Sequence, residues 1–549
     1  MPGELNAGLL RDNLAALASR NSELAERLCW PAGDDHIEKG PDGSLFYRLG
    51  RSRLPLGLSK ADIERSLAGT QEAHAVFLFG IGLGEMATAL LADQRRAQVV
   101  AWERGPWLMR LALGRNDFRS DLASGRLQLL LGTDLLELAC RVPRPTIAHP
   151  LLGQMYATEQ DLLEAGTERP VVLVCEGGLF VRDLVRALSR RGFASYTLDL
   201  RQLSREELGR SMRHARPAFV AAINYTGGLA EFCAEHGTKL VCWEIDPRGT
   251  TSLSPCSSRT DATFIFTYRR SAVREYRAAG FSNVEFLPLA TDPERRQPVE
   301  LASDEEARYR AKVSIVAASM VPEVASHERT FLEAWGAYRG SDDRASAEGS
   351  QVLRKILEGQ ARDDSRYRIP ELFEEIFPEF VQAAGPGPVR AVGEIAAALK
   401  RLTCARRLAP FGVKVWGDAG WREVEGAGVG YQGPAGHERE IAKIYCGSEV
   451  NVDLGRLYQM EIVTMRVFDV MACGGLVLAE RSDDLGSLFE VGAEVDCYGT
   501  PHELSEKVAY YLSHPLAAKE LAQRGREAVL ARHTIGSRVD HMLRVAGCG

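Results

Sequence analysis

Two carboxylates and a glycine pair form the clearest chemical pattern in this sequence. Glu461 and Asp469 lie eight positions apart, and Gly474 and Gly475 follow them. Eight residues span slightly more than two helical turns, so a helix here would place both carboxylates on one face. Two acids beside a glycine turn suit the hydroxyls and phosphates of a sugar nucleotide. A solvated helix face that ends in a glycine cap is the alternative interpretation.

The segment around these residues resembles the C-terminal half of CgeB-like (spore-maturation-type) glycosyltransferases. Blocks that match in family order are residues 449–454, 465–475, 488–492 and 507–512. The resemblance implies an α/β fold with two Rossmann-like domains in the GT-B arrangement. It also implies that this half of the chain holds a donor nucleotide.

The resemblance also implies roles for single residues. Related retaining enzymes carry a Glu-x7-Glu pair, whose second acid holds the donor ribose and whose first lies nearer the sugar. These roles fall on Asp469 and Glu461 here, with Asp replacing the second Glu. Arg466 could bind a phosphate, or it could form a surface or interdomain ion pair. Gly474 and Gly475 could let the backbone approach the ligand, or they could form a plain turn between helix and strand.

Composition argues against several classes of protein. The chain has 549 residues, a net charge of −7 and no long run of Lys or Arg, which disfavours a nucleic-acid partner. No apolar stretch is long enough to predict a membrane span. The eleven cysteines include no C-x-x-C pair and predict reduced thiols in a cytoplasmic protein.

The sequence contains no pattern that predicts a metal site or a bound cofactor. The eleven histidines show no clustered ligand spacing, and no Asp-x-Asp stands at the end of a strand. We therefore expect a metal-independent reaction in which a nucleotide-sugar is a substrate.

A glycine motif near the N-terminus supports a different function. A strand-like run at 75–79 leads into Gly80, Gly82 and Gly84, and the next strand-like run ends at Glu103. This order is typical of a nucleotide-binding βαβ unit, so an S-adenosylmethionine methyltransferase is an alternative. The same residues resemble the N-terminal part of motility accessory factor proteins, which are implicated in flagellin glycosylation. A docking module without a ligand is the third interpretation.

The middle of the chain alternates strand-like and helix-like segments. Gly177 and Gly178 follow the strand-like run 171–175, and Asp246 follows the run 239–243. Ligands of open α/β sheets bind at the carboxyl ends of strands, so these residues are candidates for the cleft. Asp246 precedes a proline and could instead form a turn. Because residues 239–247 also resemble the acceptor-side half of CgeB-like proteins, Asp246 is the first candidate for a catalytic group there.

These patterns predict an α/β protein of two Rossmann-like domains in GT-B arrangement, with a further N-terminal Rossmann-like domain and a helical insertion at about 328–408. We expect the C-terminal helical segment to return to the middle domain. The predicted boundaries are 1–165, 166–305, 306–525 and 526–549.

The function predicted from these observations is glycosyl transfer of the hexosyltransferase type. The sugar would move from a nucleotide-sugar to a protein, with flagellin as one candidate, or to a cell-surface glycan. The alternatives are the methyltransferase and a non-catalytic scaffold that binds nucleotides or carbohydrates.

Overall fold

The structure is a computed structural model. It describes residues 5–49, 52–70, 72–138, 145–165, 169–246, 260–340, 343–363, 365–426 and 428–549. Among these residues, no helix combines the length and the apolar character that are needed to cross a membrane.

The N-terminal domain combines a parallel sheet with a small antiparallel one. The described strands of the antiparallel sheet are β1 (Ile37–Lys39), β2 (Leu45–Leu49) and β3 (Ser52–Pro55). Those of the parallel sheet are β4 (Ala75–Phe79), β5 (Gln98–Glu103), β6 (Leu127–Leu131) and β7 (Thr146–Ala148). Their spatial order is β6-β5-β4-β7. The helices are α1 (Ala7–Ala18), α2 (Ser22–Arg27), α3 (Lys60–Leu67), α4 (Glu85–Ala92), α5 (Pro106–Arg115), α6 (Arg119–Ser124), α7 (Leu135–Leu138), α8 (Leu152–Met155) and α9 (Ala157–Ala165).

The middle domain is built on a parallel sheet with the spatial order β13-β12-β11-β10-β8-β9. Its described strands are β8 (Val171–Cys175), β9 (Ala194–Leu198), β10 (Phe219–Ile223), β11 (Leu240–Glu244), β12 (Thr263–Thr267) and β13 (Asn283–Phe286). Runs such as Phe219–Ile223 are fully buried, as expected where helices cover both faces of a parallel sheet. Those helices are α10 (Val181–Ser189), α11 (Arg205–Ala215), α12 (Leu229–Glu235) and α13 (Arg270–Ala278).

The C-terminal domain repeats this plan and adds a group of helices after its first strand. The described strands are β14 (Ala311–Val316), β15 (Val413–Trp416), β16 (Val429–Tyr431), β17 (Ser448–Val452), β18 (Val477–Glu480) and β19 (Asp496–Tyr498), in the order β16-β15-β14-β17-β18-β19. Helix α14 (Glu306–Tyr309) precedes β14. The helices between β14 and β15 are α15 (Val324–Arg339), α16 (Asp343–Ala361), α17 (Ile369–Ile376), α18 (Pro378–Ala384) and α19 (Pro386–Leu408). The later helices are α20 (Glu440–Gly447), α21 (Met465–Ala472), α22 (Leu485–Leu488), α23 (Pro501–Ser513), α24 (Pro515–Arg532) and α25 (Ile535–Ala546).

The middle and C-terminal domains are both doubly wound. In the middle domain, β9 lies on one side of β8, and β10 to β13 lie on the other side, so the switch point is between β8 and β10. In the C-terminal domain, β15 and β16 lie on one side of β14, and β17 to β19 lie on the other side, so the switch point is between β14 and β17. Ligands of such sheets bind at this switch point, beyond the carboxyl ends of the strands. Residues after these ends, from both domains, line one shared cavity. The predicted fold class of two Rossmann-like domains in GT-B arrangement, with an extra N-terminal domain and a helical insertion, is confirmed.

The chain crosses between the middle and C-terminal domains twice, and the two crossings lie side by side. The Thr291 N–H donates to the His533 carbonyl at 3.1 Å, and the Ile535 N–H donates to the Thr291 carbonyl at 2.9 Å. Helix α25 then packs on α10, where Arg191 pairs with Asp540 at 2.5 Å. Helix α24 remains against α21, so the return to the middle domain begins at Ile535, later than the sequence predicted.

Buried ion pairs fix the N-terminal domain to the middle domain. The guanidinium of Arg27 donates to both carboxylate oxygens of Glu207, at 2.9 and 2.6 Å, and both residues are buried. Arg104 pairs with Glu176 across the same interface at 3.0 Å. Removing one partner of a buried pair leaves an uncompensated charge, so such contacts resist separation. The two domains therefore form one rigid unit.

Side chains of the N-terminal domain fill its glycine loop. A Cβ on Gly82 would lie 2.5 Å from Nε2 of His149. Glu103, the acid at the end of the second strand of the glycine motif, is fully buried and accepts hydrogen bonds from the Tyr156 hydroxyl at 2.5 Å and the Gly82 N–H at 3.3 Å. Both groups that would face an adenosyl ligand, the glycine loop and its acid, are therefore in contact with the protein's own side chains. These contacts argue against the methyltransferase alternative and favour a docking module.

His149, which fills the glycine loop, makes the unfolding free energy of the protein depend on pH. Burial lowers the pKa of His149 from its usual 6.5 to about 4, so the imidazole stays neutral in the folded protein. Between these values only the unfolded chain binds the proton, so stability is complete above pH 6.5 and is lost as the pH falls towards 4. When the pH falls from 7.5 to 5.5, we expect the unfolding free energy of the wild type to decrease by about 1 kcal/mol more than that of His149→Gln. Urea denaturation at both pH values measures this difference, and equal losses in the two proteins would contradict it.

Candidate functional site

A cavity of about 270 Å³ lies in the cleft between the middle and C-terminal domains. Its size is near the lower end of the range of roughly 300–1,000 Å³ that is usual for small-molecule sites. The middle wall, contributed by the middle domain, consists of Leu179, Phe180, Ile245, Asp246, Tyr268 and Leu289. The basic and acidic residues of the C-terminal wall are Arg401, His437, Arg456, Arg466 and Asp469.

Three guanidinium groups meet on the C-terminal wall. Arg466 donates to the Val316 carbonyl at 2.7 Å and to the Asp453 carboxylate, which holds it at the carboxyl ends of β14 and β17. Arg456 follows β17, and its side chain is 41% exposed while its guanidinium donates to the Tyr458 hydroxyl at 2.7 Å. Arg456 is therefore the most accessible cation of the three.

Arg401 comes from α19 and is buried behind the other two. It donates to the carbonyls of Ala318, Leu454 (2.9 Å) and Gly455 (3.3 Å). Burial, followed by repulsion from Arg466 and Arg456, lowers the pKa of Arg401 to about 10. The three guanidinium groups lie close enough to repel one another, although Asp453 pairs with Arg466 and Glu394 lies 3.8 Å from Arg456.

The N-terminus of α21 opens onto the same wall. Thr464 is the N-cap residue, yet its hydroxyl donates to Asp453 at 2.6 Å and makes no capping bond to the helix. The first-turn N–H groups are therefore not occupied by the cap side chain. Helix N-termini carry a partial positive charge and bind phosphate groups readily.

Asp469 lies on the cavity wall, but both of its oxygens already accept hydrogen bonds. Oδ1 accepts from the Thr291 hydroxyl at 2.6 Å, and Oδ2 accepts from Arg296 Nε at 2.9 Å. Burial tends to lower the pKa of Arg296, but the charge of Asp469 outweighs it and the pKa is raised. Asp469 thus joins the C-terminal domain to the interdomain crossing, a contact that the sequence did not predict.

Glu461 lies outside the helix that was expected to carry it. Helix α21 begins at Met465, four residues later, so the predicted placement of both acids on one helix face is wrong. Glu461 accepts hydrogen bonds from the N–H of Ser271, at 3.0 Å, and from its hydroxyl. Because Ser271 stands in the first turn of α13, Glu461 links the two domains at the edge of the cleft.

Gly474 and Gly475 lie away from the cavity. They join the C-terminal end of α21 to the start of β18. The start of β18 is its amino end, whereas the cleft lies at the carboxyl ends of the strands. Gly474 has a φ of +77°, the left-handed conformation of a helix C-cap. The structure therefore places these glycines in a turn between helix and strand, and not at the predicted ligand contact.

Asp246 faces the cavity from the middle wall. Its exposed carboxylate accepts from the Asn224 side-chain amide at 2.9 Å, while the Asn224 oxygen accepts from the N–H groups of Ile245 and Asp246. Asn224 thereby holds the turn that presents Asp246. Gly177 and Gly178 lie at the carboxyl end of β8, next to Leu179 and Phe180 of the wall.

Residues 395–544 match the glycosyl transferase-like family. This range contains all three arginines of the C-terminal wall, together with Glu461 and Asp469. These residues are therefore similar to a glycosyl transferase-like domain.

Similar solved structures share little sequence with this chain. A glycosyltransferase from Rickettsia africae ESF-5 is 9% identical, with a TM-score of 0.39 and coverage of 69% of this chain and 98% of that one. HepE from Anabaena in complex with UDP-glucose is 11% identical, with a TM-score of 0.40 and coverage of 69% and 99%. The MAf glycosyltransferase of Magnetospirillum magneticum AMB-1 is 11% identical, with a TM-score of 0.22 and coverage of 72% and 91%. No match is found among curated proteins.

Sequence reasoning missed several residues of the glycosyltransferase cleft. Arg456 could have been found, because it follows a strand by the rule that selected Asp246. Arg401 offered no such signal, since it lies in a long helix that precedes β15.

Among the described residues, no cluster of His, Cys, Asp and Glu could hold a metal ion. Metal independence stays a prediction.

The pair formed by Asp469 and Arg296 allows a stability test. We expect Asp469→Ala to lower the unfolding free energy by about 3–5 kcal/mol, because it leaves the buried Arg296 without its partner. Urea denaturation measures the loss, and Asp483→Ala, which removes an exposed Asp of the same domain, is the control. A loss no greater than that of the control would show that the ion pair does not stabilise the domain.

Proposed function

We propose that this protein transfers a sugar from a nucleoside-diphosphate sugar to an acceptor hydroxyl in the interdomain cleft. The observation that carries this proposal is the cluster of Arg401, Arg456 and Arg466, which faces Asp246 across one cavity. A cationic wall suits a diphosphate, and a carboxylate on the other wall suits a hydroxyl. The match of residues 395–544 to the glycosyl transferase-like family agrees with this chemistry.

The diphosphate would bind between Arg456 and the N-terminus of α21, with Arg401 behind them. Hydrogen bonds from charged donors to phosphate contribute on the order of 1.5–3 kcal/mol each. As the bond between the sugar and the phosphate breaks, negative charge grows on the leaving diphosphate. Fixed cations at that position stabilise the transition state more than the ground state.

Asp246 would accept the hydrogen bond of the attacking hydroxyl. Its carboxylate is exposed to the cavity, and Asn224 fixes the turn that carries it. A positioned general base of this kind typically contributes 10²–10⁴-fold to a rate. Asn224 would act as a positioning residue through Asp246.

Asp469 would contact the donor ribose through a remaining lone pair. A carboxylate can accept about four hydrogen bonds, so the bonds from Thr291 and Arg296 leave room for a ribose hydroxyl. Positive charge for the diphosphate would come from the three arginines, so the proposed reaction needs no metal ion.

We also propose a protein or a cell-surface glycan as the acceptor, with flagellin as a candidate. The support is the resemblance of residues 70–140 to motility accessory factor proteins. The buried ion pairs that join this N-terminal domain to the middle domain fit a module that docks an acceptor. The proposed location is the cytoplasm, as the cysteine content predicts.

Loss of the accessible cation tests the donor site. We expect Arg456→Ala to weaken binding of one nucleoside diphosphate by about tenfold to hundredfold, because it removes a charged hydrogen-bond donor. Calorimetry with UDP, GDP, dTDP and CDP in the presence of EDTA measures this and identifies the base. Arg339→Ala, in the helical insertion, is the matched control. Wild-type affinity in Arg456→Ala would rule out this arginine as a phosphate ligand.

Asp246→Asn separates catalysis from donor binding. We expect kcat to fall by about 10²–10⁴-fold, while the Kd for the nucleoside diphosphate stays unchanged, because the amide cannot accept the proton. Release of the nucleoside diphosphate during turnover measures kcat, with exposed Asp304→Asn as the control. An unchanged kcat would exclude Asp246 as the base.

A further inference from the structure

Tyr268 presents a polar group that the protein itself leaves unused. It follows β12 at the carboxyl edge of the middle sheet and forms part of the cavity wall. The residue is 3% exposed, and its hydroxyl is buried without a hydrogen-bond partner among the residues that the structure describes. A buried hydroxyl without a partner costs stability, so its retention in a cavity wall points to a ligand that supplies the missing bond.

The acids around Tyr268 are engaged elsewhere. Glu244 accepts hydrogen bonds from the hydroxyls of Thr267, at 2.5 Å, and Tyr276, at 3.0 Å. Asp246 accepts from Asn224 at 2.9 Å. Burial raises the pKa of Tyr268, so its hydroxyl keeps its proton and can donate at neutral pH.

Arg456 lies across the cavity from this hydroxyl. Both residues line the same cavity, from opposite walls. A guanidinium has only donors and cannot accept the hydrogen bond of the phenol. An anionic oxygen between them would accept from both.

We propose that the Tyr268 hydroxyl donates a hydrogen bond to the β-phosphate of the nucleotide-sugar. This inference rests on the proposed function and adds a phosphate ligand from the domain opposite the arginines. Tyr268 then touches the leaving group, and its bond strengthens as negative charge develops there. Donor binding also ties the middle wall to the C-terminal wall through one phosphate.

Tyr268→Phe removes this hydroxyl and keeps the ring. We expect affinity for the nucleoside diphosphate that binds the wild type to fall about tenfold, and kcat with the matching nucleotide-sugar to fall at least as much. Affinity for the corresponding monophosphate, which lacks the β-phosphate, should not change. The control is Tyr196→Phe, which removes another buried hydroxyl without a partner, at the interface with the N-terminal domain.

Thermal unfolding supplies a second readout. Without nucleotide, Tyr268→Phe should unfold at the wild-type Tm or above it, because the substitution removes a buried polar group that has no partner. The rise in Tm on adding the diphosphate should be smaller than in the wild type. A structural role alone would lower the Tm without nucleotide and would leave this rise unaltered.

Three results would overturn the inference. They are unchanged diphosphate affinity in Tyr268→Phe, equal losses for monophosphate and diphosphate, and a change confined to the KM of the acceptor. A wild-type protein that binds none of UDP, GDP, dTDP and CDP would overturn the proposed function itself, and the inference with it.

Discussion

The geometry of the cleft depends on the buried pair formed by Asp469 and Arg296. Arg296 belongs to the segment that leaves the middle domain, and Asp469 belongs to the helix whose N-terminus faces the cavity. The neighbouring Arg295 donates to Asp183 of the middle domain at 2.8 Å. Two consecutive residues of the crossing segment therefore contact different domains: Arg295 contacts the middle domain and Arg296 contacts the C-terminal domain. This arrangement fixes the distance between the two walls before any ligand arrives.

The two walls differ in chemistry as well as in origin. The C-terminal wall brings three guanidinium groups together, and burial, followed by repulsion from Arg466 and Arg456, lowers the pKa of Arg401. The middle wall is apolar and aromatic apart from Asp246 and the Tyr268 hydroxyl. In the proposed reaction, the anionic leaving group would meet the C-terminal wall and the acceptor hydroxyl would meet Asp246 on the middle wall.

Local patterns predicted the sheets well and the contacts between segments poorly. Alternating apolar strands and helices identified three α/β domains, and the strand-end rule brought Asp246 to the cleft. Glu461 was misplaced because Thr464 starts the helix, so a spacing that suits a helix was interrupted by a cap. The filling of the N-terminal glycine loop by His149 depends on a segment more than sixty residues away from Gly82. No local pattern can report a side chain that arrives from so far along the chain.

The adjacent crossings at Thr291 and His533 restrict how the cleft can change its width. Because these two segments are hydrogen-bonded to each other, the two bodies that they connect are joined side by side at this place. The N-terminal and middle domains form one of these bodies, and the C-terminal domain forms the other. At the edge of the cleft, Glu461 and Ser271 join the same two bodies a second time, so opening the cleft would break these hydrogen bonds. A molecule that contacts both walls therefore enters a cleft whose width these contacts already restrict.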